Sequence, residues 1–393
     1  QGGEDTLVTC GGVCADKVGN GVHAGALRAG ERKLQWRTLP PASKGRHDHA
    51  AAVLEGRLLL FAGCSRSARG QRFHSDVWEL NISGGPQQCK SLSVGGGPLL
   101  PRSNHTVVSW RDKLWLFGGC DLSGFPPKLY NDLLSFDGVE WTRHQASEVC
   151  GPCPRSGHSC VAWRGGLVLF GGWDGDALLN DVAIWDGRWF ELGVHDGRMG
   201  CAGPRPTARA CHTATLVGED SMVVFGGLRR FDQEASSQCV REGHLHVLDV
   251  PDGLWSCLAL AGEAPPHRAF HCAVPLPSGD GLLVYGGGTR VDRRGEDFND
   301  AHELRRVAWS PQTHHLFPRE VRSRALFWLL VGHRAGALPH LIWLRVASFF
   351  LDAPSALPSL QQAPDAGASP SPSETSSEEL TDDPLGSGRS DSD

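Results

Sequence analysis

The chain is predicted to be all-β, a ring of six like units, on three recurring features. An apolar run closing on a glycine pair returns about every 55 residues, and self-similarity at a fixed period sets the architecture before any single residue is read. Arg-x-x-His stands before every run but the first, and a tryptophan closes nearly every unit. Glycine is abundant, at 50 of 393 residues, and long Ala/Glu/Lys/Leu stretches are scarce, which favours strands and tight turns over helices.

Each element of the unit has a physical reason. The first strand is made of small residues: Ala50-Ala51-Ala52-Val53, Thr106-Val107-Val108, Ser159-Cys160-Val161, Thr213-Ala214-Thr215 and Cys272-Ala273-Val274. An innermost strand sits where units crowd towards an axis, and only small side chains fit that taper. The second strand is continuously apolar, as a strand covered on both faces must be. Its copies end in Cys10-Gly11-Gly12, Phe61-Ala62-Gly63, Phe117-Gly118-Gly119, Phe170-Gly171-Gly172, Phe225-Gly226-Gly227 and Tyr285-Gly286-Gly287. Glycine there permits positive φ and close approach of a neighbour. The third strand starts at Ser75-Asp76, Asn131-Asp132, Asn180-Asp181 and Asn299-Asp300. The fourth carries Trp36, Trp141, Trp189, Trp255 or Trp309, a large packing surface between units, and Cys89 stands where the second unit's Trp belongs. Four short strands per unit make the length of one propeller blade.

These ordered markers resemble the kelch repeat, over roughly residues 5–317. The Arg-x-x-His and Asn-Asp pattern is most similar to the kelch arrays of host cell factor, the leucine-zipper-like regulator, fungal tip-elongation proteins and Rab effectors with kelch motifs. The resemblance implies a kelch β-propeller of six recognisable four-stranded blades, the first incomplete, over residues 1–317. Blade one lacks its first strand. Either the stretch from Pro318 through Val331 supplies it or it lies upstream of Gln1, since a chain opening on Gln1 rather than Met reads as a fragment. Residues 318–352 are expected to give a closing strand and a short helix. Arg334 and Arg345 interrupt their apolar pattern, so no membrane span is expected. Residues 353–393 read as a disordered acidic Ser/Pro tail. Within it Ser376, Ser377, Thr381 and Ser390 suit either an acid-directed kinase or no modification at all.

Charge sets further bounds. The formal charge is −6, yet from Ala353 onward eight acidic residues face only Arg389, leaving the body about one unit positive. Bulk electrostatics therefore make no case for nucleic acid or a membrane surface. Thirteen cysteines, an odd number without a signal peptide before them, fit a reducing cytoplasm or nucleus.

Several motifs invite chemistry and are better read as structure. Cys150-Gly151-Pro152-Cys153 copies a redox tetrapeptide, but Pro154-Arg155 follows at once and starts the next blade instead of the helix that chemistry needs. Five copies of Arg-x-x-His argue against an active site, which needs one distinctive constellation. Each His is expected to satisfy groups between blades, and each Arg to pair with an aspartate such as Asp132 or Asp181. His47-Asp48-His49 and His244-Leu245-His246 fall in the same pattern and receive no separate role, and Cys160, Cys211 and Cys272 are read as small apolar residues of inner strands. Galactose-oxidase-like kelch enzymes use copper with tyrosine ligands, whereas this chain has only Tyr130 and Tyr285. No catalytic residue, metal or cofactor is expected.

A functional surface remains. Strands alternate in direction, so the loop after the second strand and the segment entering the first open on one face. Those loops are long and carry Arg66, Arg69, Arg72, Arg229, Arg230, Arg290, Arg293 and Arg294, with Asp232, Glu234, Asp292, Glu296 and Asp297 among them. Arginine's planar fork suits carboxylates and phosphates, and long loops in compact domains are usually functional. The expectation is a non-catalytic protein-interaction module, a scaffold or effector docking an acidic or phosphorylated partner segment. The alternatives are the substrate-recognition part of a ubiquitin ligase, which needs a BTB or F-box segment absent from this sequence, and, behind it, a galactose-oxidase-like enzyme.

Overall fold

A computed structural model describes residues 5–10, 13–14, 17–18, 22–27, 35–39, 45–67, 70–80, 89–144, 151–192, 204–230, 238–239, 244–259, 264–289 and 296–305. Among these residues every regular element is a strand. The closing segment expected in 318–352, the tail from 353 and Trp309 lie outside them.

The strands form successive antiparallel sheets, one per predicted blade. Blade one shows three strands, Asp5–Cys10, Val22–Leu27 and Gln35–Leu39, with no inner strand among the described residues. Blades two to five have four strands each, beginning at Ala50–Leu54, Thr106–Trp110, Ser159–Trp163 and Thr213–Val217. Blade six shows Cys272–Pro275, Gly281–Tyr285 and Ala301–Arg305. The small-residue strands of blades two to six adjoin one another in sequence order, which makes them the axial lining that the taper requires.

The core lies in the seams between blades. Period-2 alternation on each second strand divides its residues between the two neighbours. In blade two, Leu58 and Leu60 pack with Val8 of blade one, while Leu59 and Phe61 pack with Leu114, Leu116 and Trp141 of blade three. The pattern continues around the ring, with Trp115 and Phe117 against Leu167, Leu169 and Trp189, and Val168 and Phe170 against Met222, Val224 and Trp255. Each outer-strand Trp therefore meets the Phe of the preceding blade's glycine run. Ring centroids are 5.7 Å apart for Phe61–Trp141, 5.2 Å for Phe117–Trp189 and 5.3 Å for Phe170–Trp255. All three tryptophans are buried, whereas Cys89 is only half-buried.

A polar clamp within each of blades two, three, four and six ties the entry of the inner strand to the start of the third strand. Arg102 is fully buried and donates to Gly118 O at 2.9 Å and to both carboxylate oxygens of Asp132 at 2.7 and 2.9 Å. Arg46–Asp76, Arg155–Asp181 and Arg268–Asp300 repeat this bidentate geometry. Burial opposes ionisation of Asp132, but the Arg102 hydrogen bonds and charge outweigh it and hold the carboxyl below its usual range. The histidines bridge blades: His158 Nε2 lies 2.9 Å from Thr106 Oγ1, His212 Nε2 2.9 Å from Ser159 Oγ, and His271 Nε2 2.8 Å from Thr213 Oγ1. Burial first, and the neighbouring guanidinium second, push His212 and His271 down to about 3, so both are neutral imidazoles near pH 7. The glycines are required by this closeness. Gly119 has φ +96°, and a Cβ there would stand 2.7 Å from Ser103 O and 2.8 Å from His105 Cβ.

Candidate functional site

The repeated Arg, His, Asp and Trp side chains are consumed within the blades and the seams between them, which leaves the surface that the blades add to that frame. The residue between the two glycines and the next strand pairs with the segment entering the inner strand, through the bridges His47↔Cys64, Ser103↔Cys120, Ser156↔Trp173, Ala210↔Leu228 and Ala269↔Gly288. The two segments share one face, as strand alternation predicts. The third residue of each Arg-x-x-His is left-handed there: Asp48, Asn104, Gly157, Cys211 and Phe270 all have φ between 53° and 62°. Their backbones link the blades, Asn104 N–H donating to Asp48 O, Gly157 N–H to Asn104 O, Cys211 N–H to Gly157 O and Phe270 N–H to Cys211 O, at 2.7–3.0 Å. Cys211 thus belongs to this turn, outside the inner strand Thr213–Val217, which corrects its reading as an inner-strand residue.

Beyond the bridges, several of the long loops are two-stranded ribbons. They are Val13–Cys14 with Lys17–Val18, Cys64–Ser67 with Gly70–Phe73, Cys120–Asp121 with Lys128–Leu129, and Leu228–Arg230 with Gln238–Cys239. In blade four the long central strands continue into an equivalent extension past a register shift between Phe170 and Gly172. Sequence reading missed the ribbons because Cys64-Ser65-Arg66-Ser67 has no apolar alternation, and pairing there follows from strands already fixed below it.

Arg66 and Arg72 lie on the blade-two ribbon and are exposed. Arg66 stands opposite Gln71 and Arg72 opposite Ser65, so the two occupy opposite faces of the ribbon. Arg229 is exposed on the blade-five ribbon, and Arg230 follows it there. Arg69, Arg290, Arg293 and Arg294, with Asp232, Glu234 and Asp292, fall outside the described residues. The same face carries Phe125, 100% exposed, and Leu122, at the turn of the blade-three ribbon. The signal for Phe125 was legible, an aromatic residue set between Gly124 and Pro126 in a loop with no strand pattern to bury it.

The remaining candidates settle into structure. Cys153 lies in an extended segment with its sulfur 3.2 Å from Arg155 Nη2, and Cys150 is outside the described residues. Tyr130 donates its hydroxyl to Pro101 O, and Tyr285 to Asn299 Oδ1. Among the described residues no helix is long and apolar enough to cross a membrane.

Comparison with known proteins agrees with the repeat. A family profile described as the KLHDC2/KLHL20/DRC7 Kelch-repeats domain matches residues 3–186. Acyl-CoA-binding domain-containing protein 4 of Arabidopsis thaliana is 27% identical over 294 residues, 70% of this chain and 40% of that protein. Kelch domain-containing protein 1 of Homo sapiens is 28% identical, over 67% of this chain and 68% of the relative. Host cell factor homolog hcf-1 of Caenorhabditis elegans is 27% identical, over 65% of this chain and 33% of its own length. The chain thus spans well under half of the plant and nematode relatives. The solved structure of YjhT superposes with a TM-score of 0.58 at 18% identity, covering 77% of this chain and 93% of that one, which shows a shared fold.

Proposed function

We propose that this chain, a β-propeller built of kelch repeats, is a protein-interaction module that docks an acidic or phosphorylated partner segment on its ribbon-bearing face. Kelch-repeat propellers generally serve as non-catalytic interaction or substrate-adaptor modules, and the likeness to kelch-repeat relatives supports that reading for this chain. One observation carries the finer reading. The repeated chemistry is spent inside the blades and their seams, while the ribbons differ from blade to blade and expose Arg66, Arg72 and Arg229. Surface that varies on a rigid repeated frame is where a propeller sets partner choice. Guanidinium groups supply bidentate contacts to carboxylate or phosphate, and Arg69, Arg230, Arg290, Arg293 and Arg294 extend the same set. Phe125 gives this face an apolar anchor of the kind that dominates interface energetics.

The test is a salt series with an acidic or phosphorylated peptide library on the full chain. Binding that weakens with salt and is lost in the Arg229→Glu/Arg230→Glu double variant, with an unchanged melting temperature, supports the reading. Unchanged partner capture by that variant moves the interaction elsewhere.

A further inference from the structure

Blade two departs from its siblings at one point where the repeat does not require it. The bridge between the inner-strand entry and the ribbon root joins His47 and Cys64, which exchange both backbone hydrogen bonds at 2.9 Å and so stand directly opposite each other. Asp48 follows in the left-handed conformation at φ 54°, one of the ring positions already described. Its carboxylate Oδ2 lies 2.9 Å from His47 Nδ1, and Cys64 Sγ lies 3.4 Å from that nitrogen, 3.3 Å from Nε2 of the same ring and 4.0 Å from that oxygen. The other blades carry Ser103, Asn104 and Cys120; Ser156, Gly157 and Trp173; Ala210, Cys211 and Leu228; and Ala269, Phe270 and Gly288 at these places. The seams close with any of them. A thiol, an imidazole and a carboxylate converge in blade two alone among the described residues.

We propose that His47, Asp48 and Cys64 form a three-ligand site for a zinc-class divalent cation on the ribbon-bearing face. Sulfur and nitrogen donors with one carboxylate suit zinc, and three protein ligands leave a fourth position for water or another donor. With zinc–sulfur near 2.3 Å and zinc–nitrogen or –oxygen near 2.0–2.1 Å, the edges of a tetrahedron are about 3.3–3.6 Å. The three separations here fall within about half an ångström of those edges, and because the sulfur faces both ring nitrogens, the imidazole turns about its side-chain bonds to aim Nδ1 at the metal while the backbone stays in place. Two ligands are fixed by a mutual backbone bridge and the third by a ring turn, which is the preorganisation a site needs. Cys64 is buried, His47 nearly so, and the Asp48 side chain is 29% exposed, which leaves an entry path on its side. Arg66 and Cys120 are the other ionisable groups near the sulfur. On binding, the Cys64 thiol loses its proton to solvent, sulfur and Nδ1 donate their lone pairs to the metal, and the imidazole proton resides on Nε2.

The test uses the purified full chain, stripped with chelator and titrated with Co²⁺ as a spectroscopic probe of zinc sites. The expected result is one equivalent bound, with a thiolate-to-cobalt charge-transfer band and the visible absorption of a tetrahedral site, displaced by Zn²⁺. Cys64→Ser should abolish the charge-transfer band. Asp48→Asn, which keeps the left-handed turn, should weaken binding by at least the roughly tenfold to hundredfold that loss of an outer-shell partner costs. Far-ultraviolet dichroism and melting of both metal-free variants establish that they fold. Absence of saturable binding, or a thiolate band that survives Cys64→Ser and therefore arises at other cysteines, overturns the proposal.

Discussion

Two seams of this propeller share a plan and differ in one polar contact. Between blades three and four, His158 is buried with Nε2 on the Thr106 hydroxyl. Between blades two and three, His105 is equally buried, but Ala50 occupies the register position that Thr106 holds, each facing the Phe of its own glycine run. Neither ring nitrogen of His105 has a hydrogen-bond partner. Blade two also carries Ala62 at φ 52° where blade three has Gly118 at φ 65°. The shape of the seam therefore survives without its polar contact, because interdigitated apolar groups and the backbone bonds from Gly63 N–H to Arg102 O and from Asn104 N–H to Asp48 O hold it. The His–hydroxyl bond adds to the seam and does not create it.

Acid should separate these contributions most strongly. His105 and His158 are held well below their usual range by burial first and by Arg102 or Arg155 second, and His49 is pushed down to about 4 by burial and then Arg46. A depressed imidazole means that the unfolded chain binds more protons below pH 6.5. Stability is thus full above pH 6.5 and falls as pH drops towards the folded values. Each such histidine contributes a slope approaching about 1.4 kcal/mol per pH unit in that window. Denaturant melts between pH 7 and 4 should show a steep, cooperative loss, and His105→Leu should flatten it by about one histidine's share. A flat profile would mean that the imidazoles are solvated.

Next in size is the apolar half of the seam. Trp189→Ala removes the partner of Phe117 and should cost roughly 3–5 kcal/mol in a chemical melt. Cys89→Ala, at the corresponding place in blade two, should cost distinctly less, since Cys89 is small and half-buried. Equal losses would contradict the assignment of Trp189 to the seam.

Smaller is the backbone requirement. Gly172 has φ +103° and a Cβ there would stand 2.8 Å from His158 Cβ, so Gly172→Val should destabilise by more than about 1 kcal/mol. An unchanged melting temperature would contradict it.

The contrast between the seams can then be exchanged. Thr106→Ala leaves His158 Nε2 without its partner and should cost about 1–3 kcal/mol, whereas Ala50→Thr offers His105 a hydroxyl and should return about 0.5–1.5 kcal/mol. If both substitutions are neutral, the hydroxyl is incidental to the seam.

The sequence by itself determined the strand order within each blade, the inner strand of small residues and the burial of Trp141, Trp189 and Trp255. These rest on local periodicity and volume, which a repeat displays several times over. It also announced the Arg–Asp clamp, because an always-charged side chain at a buried repeat position needs a carboxylate. Only tertiary structure decided that loops after the glycine pairs become ribbons, that Arg66 and Arg72 face opposite ways, that Cys211 sits in a turn, and that His47, Asp48 and Cys64 meet. Each depends on which residue stands across a ribbon or a bridge, as His47 stands across from Cys64, a register that the fold sets and no local pattern encodes.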